Sequence, residues 1–220
     1  PNKSSLHTYR DVDGQTYFAL SLYPSSTEPA QVDRDILLLV DTSASQTGLF
    51  REDSLEAVDT IVSQLKPTER ISLMALDLQA VPMSNGFVKA NSRDLKKAVA
   101  KLRARTPLGA TDLVAGLRAA LEQFSDAGRA RAVIYIGDGM SRANAVALDE
   151  FDPVAQALVE KQISVSSYAV GLRTDVELLA VVANNTGGSV FIDGPAVTAQ
   201  QAGAASLQLA RGAVVWPVHV

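Results

Sequence analysis

Ile36-Leu37-Leu38-Leu39-Val40-Asp41-Thr42-Ser43-Ala44-Ser45 is the stretch on which the reading of this chain turns. Five apolar residues in unbroken succession read as a strand buried on both faces, the pattern of a parallel sheet covered by helices. Asp41, Ser43 and Ser45 then fall two apart where the strand yields to a loop, so an extended backbone points their side chains the same way. A carboxylate and two hydroxyls on a common side are hard oxygen donors, suited to Mg²⁺ or Mn²⁺ rather than to a metal that prefers thiolate.

Outward from this strand, apolar runs alternate with amphipathic ones. Leu55, Val58, Val62 and Leu65 recur at helical spacing and Pro67 closes that segment; Ile71 to Leu76 is a second buried strand. Pro82 and Asn85-Gly86 within Ala80 to Val88 predict a short edge hairpin, the place for an antiparallel edge strand. Leu95, Val99 and Leu102 follow Ser92 as a helix whose end carries Arg103 and Arg105, and Leu113 to Phe124 gives another helical stripe that Gly128 would stop. Ala132 to Ile136 is a third buried strand; it delivers Gly137-Asp138-Gly139, whose glycines would let the backbone approach a bound group. A helix opened by Asp152-Pro153, a strand from Ile163 to Val170, a helix capped at Thr174, a strand from Ser189 to Asp193 and a helix from Thr198 to Arg211 complete the alternation. The fold class expected is α/β: a doubly wound, mostly parallel sheet with one antiparallel edge strand and helices on both faces. Its ligand crevice lies beyond the carboxyl ends of the strands, where Asp41 and Asp138 both fall.

Asp41-x-Ser43-x-Ser45 at a strand end, followed by Thr111 in Gly109-Ala110-Thr111-Asp112 and by Asp138 in Ile136-Gly137-Asp138-Gly139, resembles the metal-ion-dependent adhesion site of von Willebrand factor type A domains. The resemblance spans roughly Arg34 to Asp193 and carries a Rossmann-like architecture. It implies that the Ser43, Ser45 and Thr111 hydroxyls bind Mg²⁺, with Mn²⁺ or Ca²⁺ as substitutes, while Asp41 and Asp138 hold it largely through waters. A metal held mostly by neutral oxygens stays electrophilic, so the expected sixth ligand is an Asp or Glu carboxylate of a partner protein. Three positions depart from the family pattern: Ala44 replaces a glycine, Gln46 a common methionine and Gly137 a common threonine. The aromatic-rich patch before the Asp-Ile-Leu-Leu-Leu-Val-Asp strand further resembles inter-alpha-trypsin-inhibitor heavy-chain-like proteins.

Each site residue also has a plainer reading. Asp41 fits an Asx turn, Ser43 and Ser45 fit ordinary loop hydroxyls, and Thr111 or Asp112 fits a helix N-cap. A haloacid-dehalogenase-like Mg²⁺ phosphatase would use Asp41, Thr111 and Asp138 in the same order, but it needs an aspartate as general acid where Ser43 stands. No nucleotide-binding glycine motif follows any strand. His7 and His219 lie at opposite ends, leaving Ser43 without a base. Asp35, Asp77 and Asp149 read as loop or strand-end carboxylates, and Arg129 with Arg131 as a solvated pair.

The chain has 220 residues, 47% of them hydrophobic, enough for an ordinary core and most simply one domain. Its parts are expected as a lead segment over residues 1–33 with an added edge strand at Tyr17 to Leu22, the type A domain over 34–212, and an apolar tail over 213–220. A net charge of −4 gives no basic footprint for nucleic acid or an anionic membrane, and no apolar run is long enough for membrane insertion. The absence of cysteine excludes disulfides, zinc-thiolate sites and thiol nucleophiles. The start resembles a piece cut from a longer chain, the alanine-rich composition suggests a bacterial parent, and an exported or cell-envelope setting is the expectation. Oligomeric state is left open.

Overall fold

A computed structural model of the chain describes residues 5–21, 32–125, 128–144, 146–192, 194 and 196–216. They fall into two compact units, within residues 1–31 and 32–220. In the first, β1 (Ser5–Arg10) pairs antiparallel with β2 (Thr16–Ser21), with Leu6 opposite Leu20 and Tyr9 opposite Tyr17. Asp11 forms the turn, its Oδ1 accepting from the Asp13 and Gln15 N–H groups. The patch expected as an added edge strand is therefore half of a separate two-stranded sheet. Its partner is local, because Ser5–Arg10 alternates in register with it across one tight turn. Leu22 and the Tyr23 to Ser26 spacer lie outside the described residues.

The second unit alternates strand and helix: β3 (Arg34–Asp41), α1 (Leu49–Ser63), β4 (Glu69–Leu76), β5 (Ala80–Pro82), β6 (Val88–Lys89), α2 (Arg93–Ala104), α3 (Leu113–Gln123), β7 (Ala130–Gly137), α4 (Leu148–Glu160), β8 (Ile163–Ala169), α5 (Val176–Thr186), β9 (Val190–Ile192) and α6 (Ala199–Arg211). The strand order is β5-β4-β3-β7-β8-β9, parallel from β4 to β9, with β5 and β6 antiparallel to β4. β5 and β6 are two pieces of one interrupted edge strand, not arms of a hairpin with each other; Asn85-Gly86 lies in the interruption between them. Alternation along β3 decides the layers. Ile36, Leu38 and Val40 face α1, α2 and α6, whereas Leu37 and Leu39 face α3, α4 and α5. Both faces being covered is why the strand reads as a continuous apolar run. The chain winds from β3 outward to β4 and then back to β7, so the switch point lies between the carboxyl ends of β3 and β7.

Four local expectations are corrected. The α4 helix begins a turn before Asp152-Pro153, since the Glu150 and Phe151 N–H groups already bond to Ala147 O and the extra turn buries Phe151. The cap of α5 is Asp175 rather than Thr174: its carboxylate accepts from the Leu178 N–H at 2.9 Å. Helix α3 ends at Gln123, ahead of Gly128. Arg129 is no solvated side chain. It bonds to the buried Asp35, which Arg70 also clamps through both carboxylate oxygens, joining the amino ends of β3, β4 and β7. In the tail, Val214 packs over Gly187, and residues 217–220 lie outside the described set.

Candidate metal centre

Three loops meet at the switch point and are tied to one another through backbone bonds. The Ala44 N–H donates to Gly109 O at 3.0 Å and the Leu108 N–H to Thr42 O at 2.9 Å, laying the α2–α3 loop beside the β3–α1 loop. The Ala143 N–H donates to Thr111 O at 3.0 Å, bringing in the β7–α4 loop. Asp41, Ser43, Ser45, Thr111 and Asp138 are thereby gathered from three distant parts of the sequence.

Asp41 is fully buried and is the hub of the arrangement. Its Oδ1 accepts from the Ser43 N–H at 2.8 Å; its Oδ2 accepts from the Thr111 hydroxyl and from the Tyr135 phenol, each at 2.9 Å. Burial pushes its carboxyl above the ordinary aspartate range and the neighbouring Asp138 charge adds to the push, while the Ser43 and Thr111 hydrogen bonds oppose it. Ser43 Oγ and Ser45 Oγ lie 2.9 Å apart. Asp138, just past β7, accepts the Met140 N–H on Oδ1 at 2.9 Å. Its backbone carbonyl takes the Asp175 N–H, which ties the site to the start of α5.

Asp112, not Thr111, caps α3, accepting from the Ala115 N–H at 2.9 Å. Thr111 is thereby released from the cap and turned toward Asp41. Sequence reasoning overlooked Tyr135. Its hydroxyl also accepts from the Gly139 N–H at 3.2 Å, and burial, with the charges of Asp41 and Asp138, holds its pKa well above the usual phenol value, so it remains a donor. The signal was a lone polar tip in an apolar strand, two residues before Gly137. Tyr135 also accounts for that glycine: a Cβ at 137 would stand 2.5 Å from both the phenol oxygen and Asp41 Cβ. Gly137 serves this close packing instead of admitting a bound group. Gln46, in the place of methionine, is buried and bonds through its amide to Val170 O and Ser54 Oγ.

The donor set fits a hard divalent cation. Mg²⁺ takes oxygen ligands at about 2.0–2.1 Å in an octahedron, which places neighbouring ligands about 2.9 Å apart. Ser43 and Ser45 are hydrogen-bonded to each other at 2.9 Å, a separation also compatible with that edge. Among the described residues no cluster of three or more His, Asp or Glu side chains is found, so a metal here would rest on this mixture of hydroxyls and carboxylates. Ser43, Ser45, Thr111 and Asp138 line an open cleft of about 610 Å³, whereas Asp41 lies behind them.

The family model described as von Willebrand factor type A domain matches residues 34–191. The chain belongs to the von Willebrand factor type A family. Members of this family generally mediate protein–protein interactions and are typically not enzymes. Inter-alpha-trypsin inhibitor heavy chain H2 of Sus scrofa is 23% identical over 180 residues, covering 78% of this chain and 19% of that one. The chain thus spans about a fifth of the length of the curated relatives it matches. Among solved structures, a von Willebrand factor type A protein from Catenulispora acidiphila superimposes with a TM-score of 0.71 at 14% identity, over 87% of this chain and 44% of that one. The manganese-loaded TRAP protein of Plasmodium vivax gives 0.53 at 14% identity, over 83% and 67%. This type A domain shares its fold with both.

Proposed function

We propose that this type A domain binds a partner protein through a divalent cation, Mg²⁺ in the first instance, held by Ser43, Ser45 and Thr111 with Asp41 and Asp138 behind them. The observation that carries the reading is the convergence of three hydroxyls and the Asp138 carboxylate on one cleft at the switch point, with Asp41 buried behind them and hydrogen-bonded to the Ser43 N–H and the Thr111 hydroxyl. The bound cation would supply an electrophilic site open toward the cleft. Asp41 orients the Thr111 hydroxyl and the Ser43 backbone, and the protein leaves the remaining position to an Asp or Glu carboxylate from outside. The phosphatase alternative fares worse: Asp41, its would-be nucleophile, is buried under three hydrogen bonds and does not line the cleft. We further propose that the domain is one module of a longer exported or cell-envelope protein.

Thermal melts of EDTA-stripped protein with added Mg²⁺ or Mn²⁺ test the reading. A cation bound only by the native state adds about 2.7 kcal/mol at a hundredfold excess over Kd, or roughly 5–11 °C for a domain of this size. The rise is expected in the wild type and absent in Ser43→Ala and Asp138→Ala. A melt indifferent to either metal, or phosphate-ester turnover that depends on Asp41, would overturn it.

A further inference from the structure

Four leucines stand exposed on the loops that surround the cleft. Leu49 is 73% exposed at the start of α1, Leu78 58% between β4 and β5, Leu108 73% between α2 and α3, and Leu172 84% between β8 and α5. Single exposed apolar residues are ordinary, but one on each of four separate loops at the same end of a sheet is a surface kept apolar. These loops adjoin one another: Leu108 follows the bond from its own N–H to Thr42 O, Gly109 sits against Leu78, and Leu172 lines the cleft itself.

Two arginines complete the surface. Arg142 and Arg173 line the cleft, both are exposed, and neither side chain has a hydrogen-bond or ion-pair partner among the described residues. Every other arginine near the site is engaged; Arg105 pairs with Asp77 and donates to Thr42 Oγ1. Among the described residues Asp138 is the one carboxylate on the cleft wall, and the nearby Asp112 and Asp175 accept N–H bonds as helix caps. With a dication in place, Asp41 and Asp138 balance its charge and the three hydroxyls add none. On the cleft wall itself Arg142 and Arg173 then stand as two cations facing a ligand, while the charged caps Asp112 and Asp175 do not line it, so a second carboxylate of the ligand would meet a guanidinium directly.

We infer that the partner presents a short acidic and apolar segment: one carboxylate for the metal, a second for Arg142 and Arg173, and aliphatic or aromatic side chains that cover the leucine rim. This rests on the metal reading above and names the kind of partner that site takes. The second carboxylate gives direction, since a metal alone accepts any carboxylate, whereas a forked guanidinium beside it fixes the spacing of two. The apolar rim excludes water from the metal–carboxylate contact and supplies area that a point contact lacks.

The test is selection of displayed random peptides of about 12 residues on the full chain in Mg²⁺, each enriched peptide then being measured in Mg²⁺ and in EDTA. Enriched sequences are expected to carry at least two acidic residues flanked by apolar ones. Their affinity should fall about tenfold or more in the Arg142→Glu/Arg173→Glu and Leu108→Ser/Leu172→Ser proteins, while Mn²⁺ affinity in the absence of peptide does not fall in either. Peptides that need Mg²⁺ but ignore all four substitutions overturn the inference and leave the metal reading standing. Peptides that bind equally in EDTA yet are lost on charge reversal overturn the metal reading and keep the surface. An EDTA-sensitive dimer in sedimentation would make a second copy the occupant and would also overturn the inference.

Discussion

Tyr135→Phe isolates what holds the buried carboxylate of Asp41 in place. The substitution keeps the ring, and with it the packing against α3, α4 and α5, and removes only the hydroxyl. Two buried hydrogen bonds go with it, one to Asp41 Oδ2 at 2.9 Å and one from the Gly139 N–H at 3.2 Å. Asp41 keeps its other two donors, Ser43 N–H and Thr111 Oγ1, but Gly139 is left with a buried, unsatisfied N–H. A hydrogen bond to a charged acceptor contributes about 1.5–3 kcal/mol and an orphaned buried N–H costs about 1–3 kcal/mol, so a loss of about 3 kcal/mol is expected. For a domain of this size that corresponds to roughly 6–12 °C in Tm. Urea unfolding and scanning calorimetry measure it, with Mn²⁺ titration in parallel. All five side chains proposed to hold the metal remain, so metal affinity should change by less than about tenfold while stability drops. Because the phenol stays protonated well above its ordinary value, the difference between wild type and variant should be flat from about pH 6 to 9. A stability loss under about 1 kcal/mol would refute the role assigned to the hydroxyl.

Two further perturbations probe the scaffold. Arg211 at the end of α6 grips both carboxylate oxygens of the buried Glu69 at 2.7 Å; burial alone would raise that carboxyl, but the Arg211 bonds and the Lys66 N–H outweigh it and hold it below the ordinary glutamate value. A depressed folded pKa contributes stability above the unfolded value and loses it as pH falls through the folded one, so Arg211→Met should cost about 3 kcal/mol at neutral pH, with the gap to wild type narrowing below about pH 4 in urea melts; an unchanged gap would count against the pair. Gly203→Ala sets a Cβ 2.6 Å from Ala57 O and 2.9 Å from Ala57 Cα where α6 crosses α1, and is expected to cost about 1–3 kcal/mol by calorimetry, whereas a neutral result would mean the helices can part.

The strands that carry the site were legible because burial on both faces leaves no polar interruption: Ile36 to Val40 and Ala132 to Ile136 could hardly be read otherwise. Helix stripes were equally plain, their ends less so. A cap is decided by one side-chain bond, and neighbouring candidates such as Thr174 and Asp175, or Thr111 and Asp112, differ only in which oxygen reaches the N–H. Long-range polar partners were not legible at all. Arg129 finds Asp35 from 94 positions away, and nothing local distinguishes it from a solvated arginine. The lead hairpin was half read: alternation revealed β2, but the same alternation in the polar Ser5–Arg10 passed unnoticed.

The site itself divides along the same line. Spacing two apart at a strand end announces Asp41, Ser43 and Ser45, yet it does not say that the three have different tasks. Asp41 takes donors from its own loop, from the α2–α3 loop and from β7, and so does for three segments what a ligand does for one atom. Its carboxylate is spent on organisation. That leaves the hydroxyls of Ser43, Ser45 and Thr111 lining the cleft beside Asp138, and donors of so little charge would hold a dication without quenching it. Gly137 follows from the same wiring. Where a side chain at that position would reach toward Asp41, the Tyr135 phenol already reaches it from two residues earlier, and the glycine makes room. Gly137 and Tyr135 therefore belong together in physical terms: the hydroxyl on Asp41 Oδ2 comes from position 135, and the glycine at 137 leaves it room.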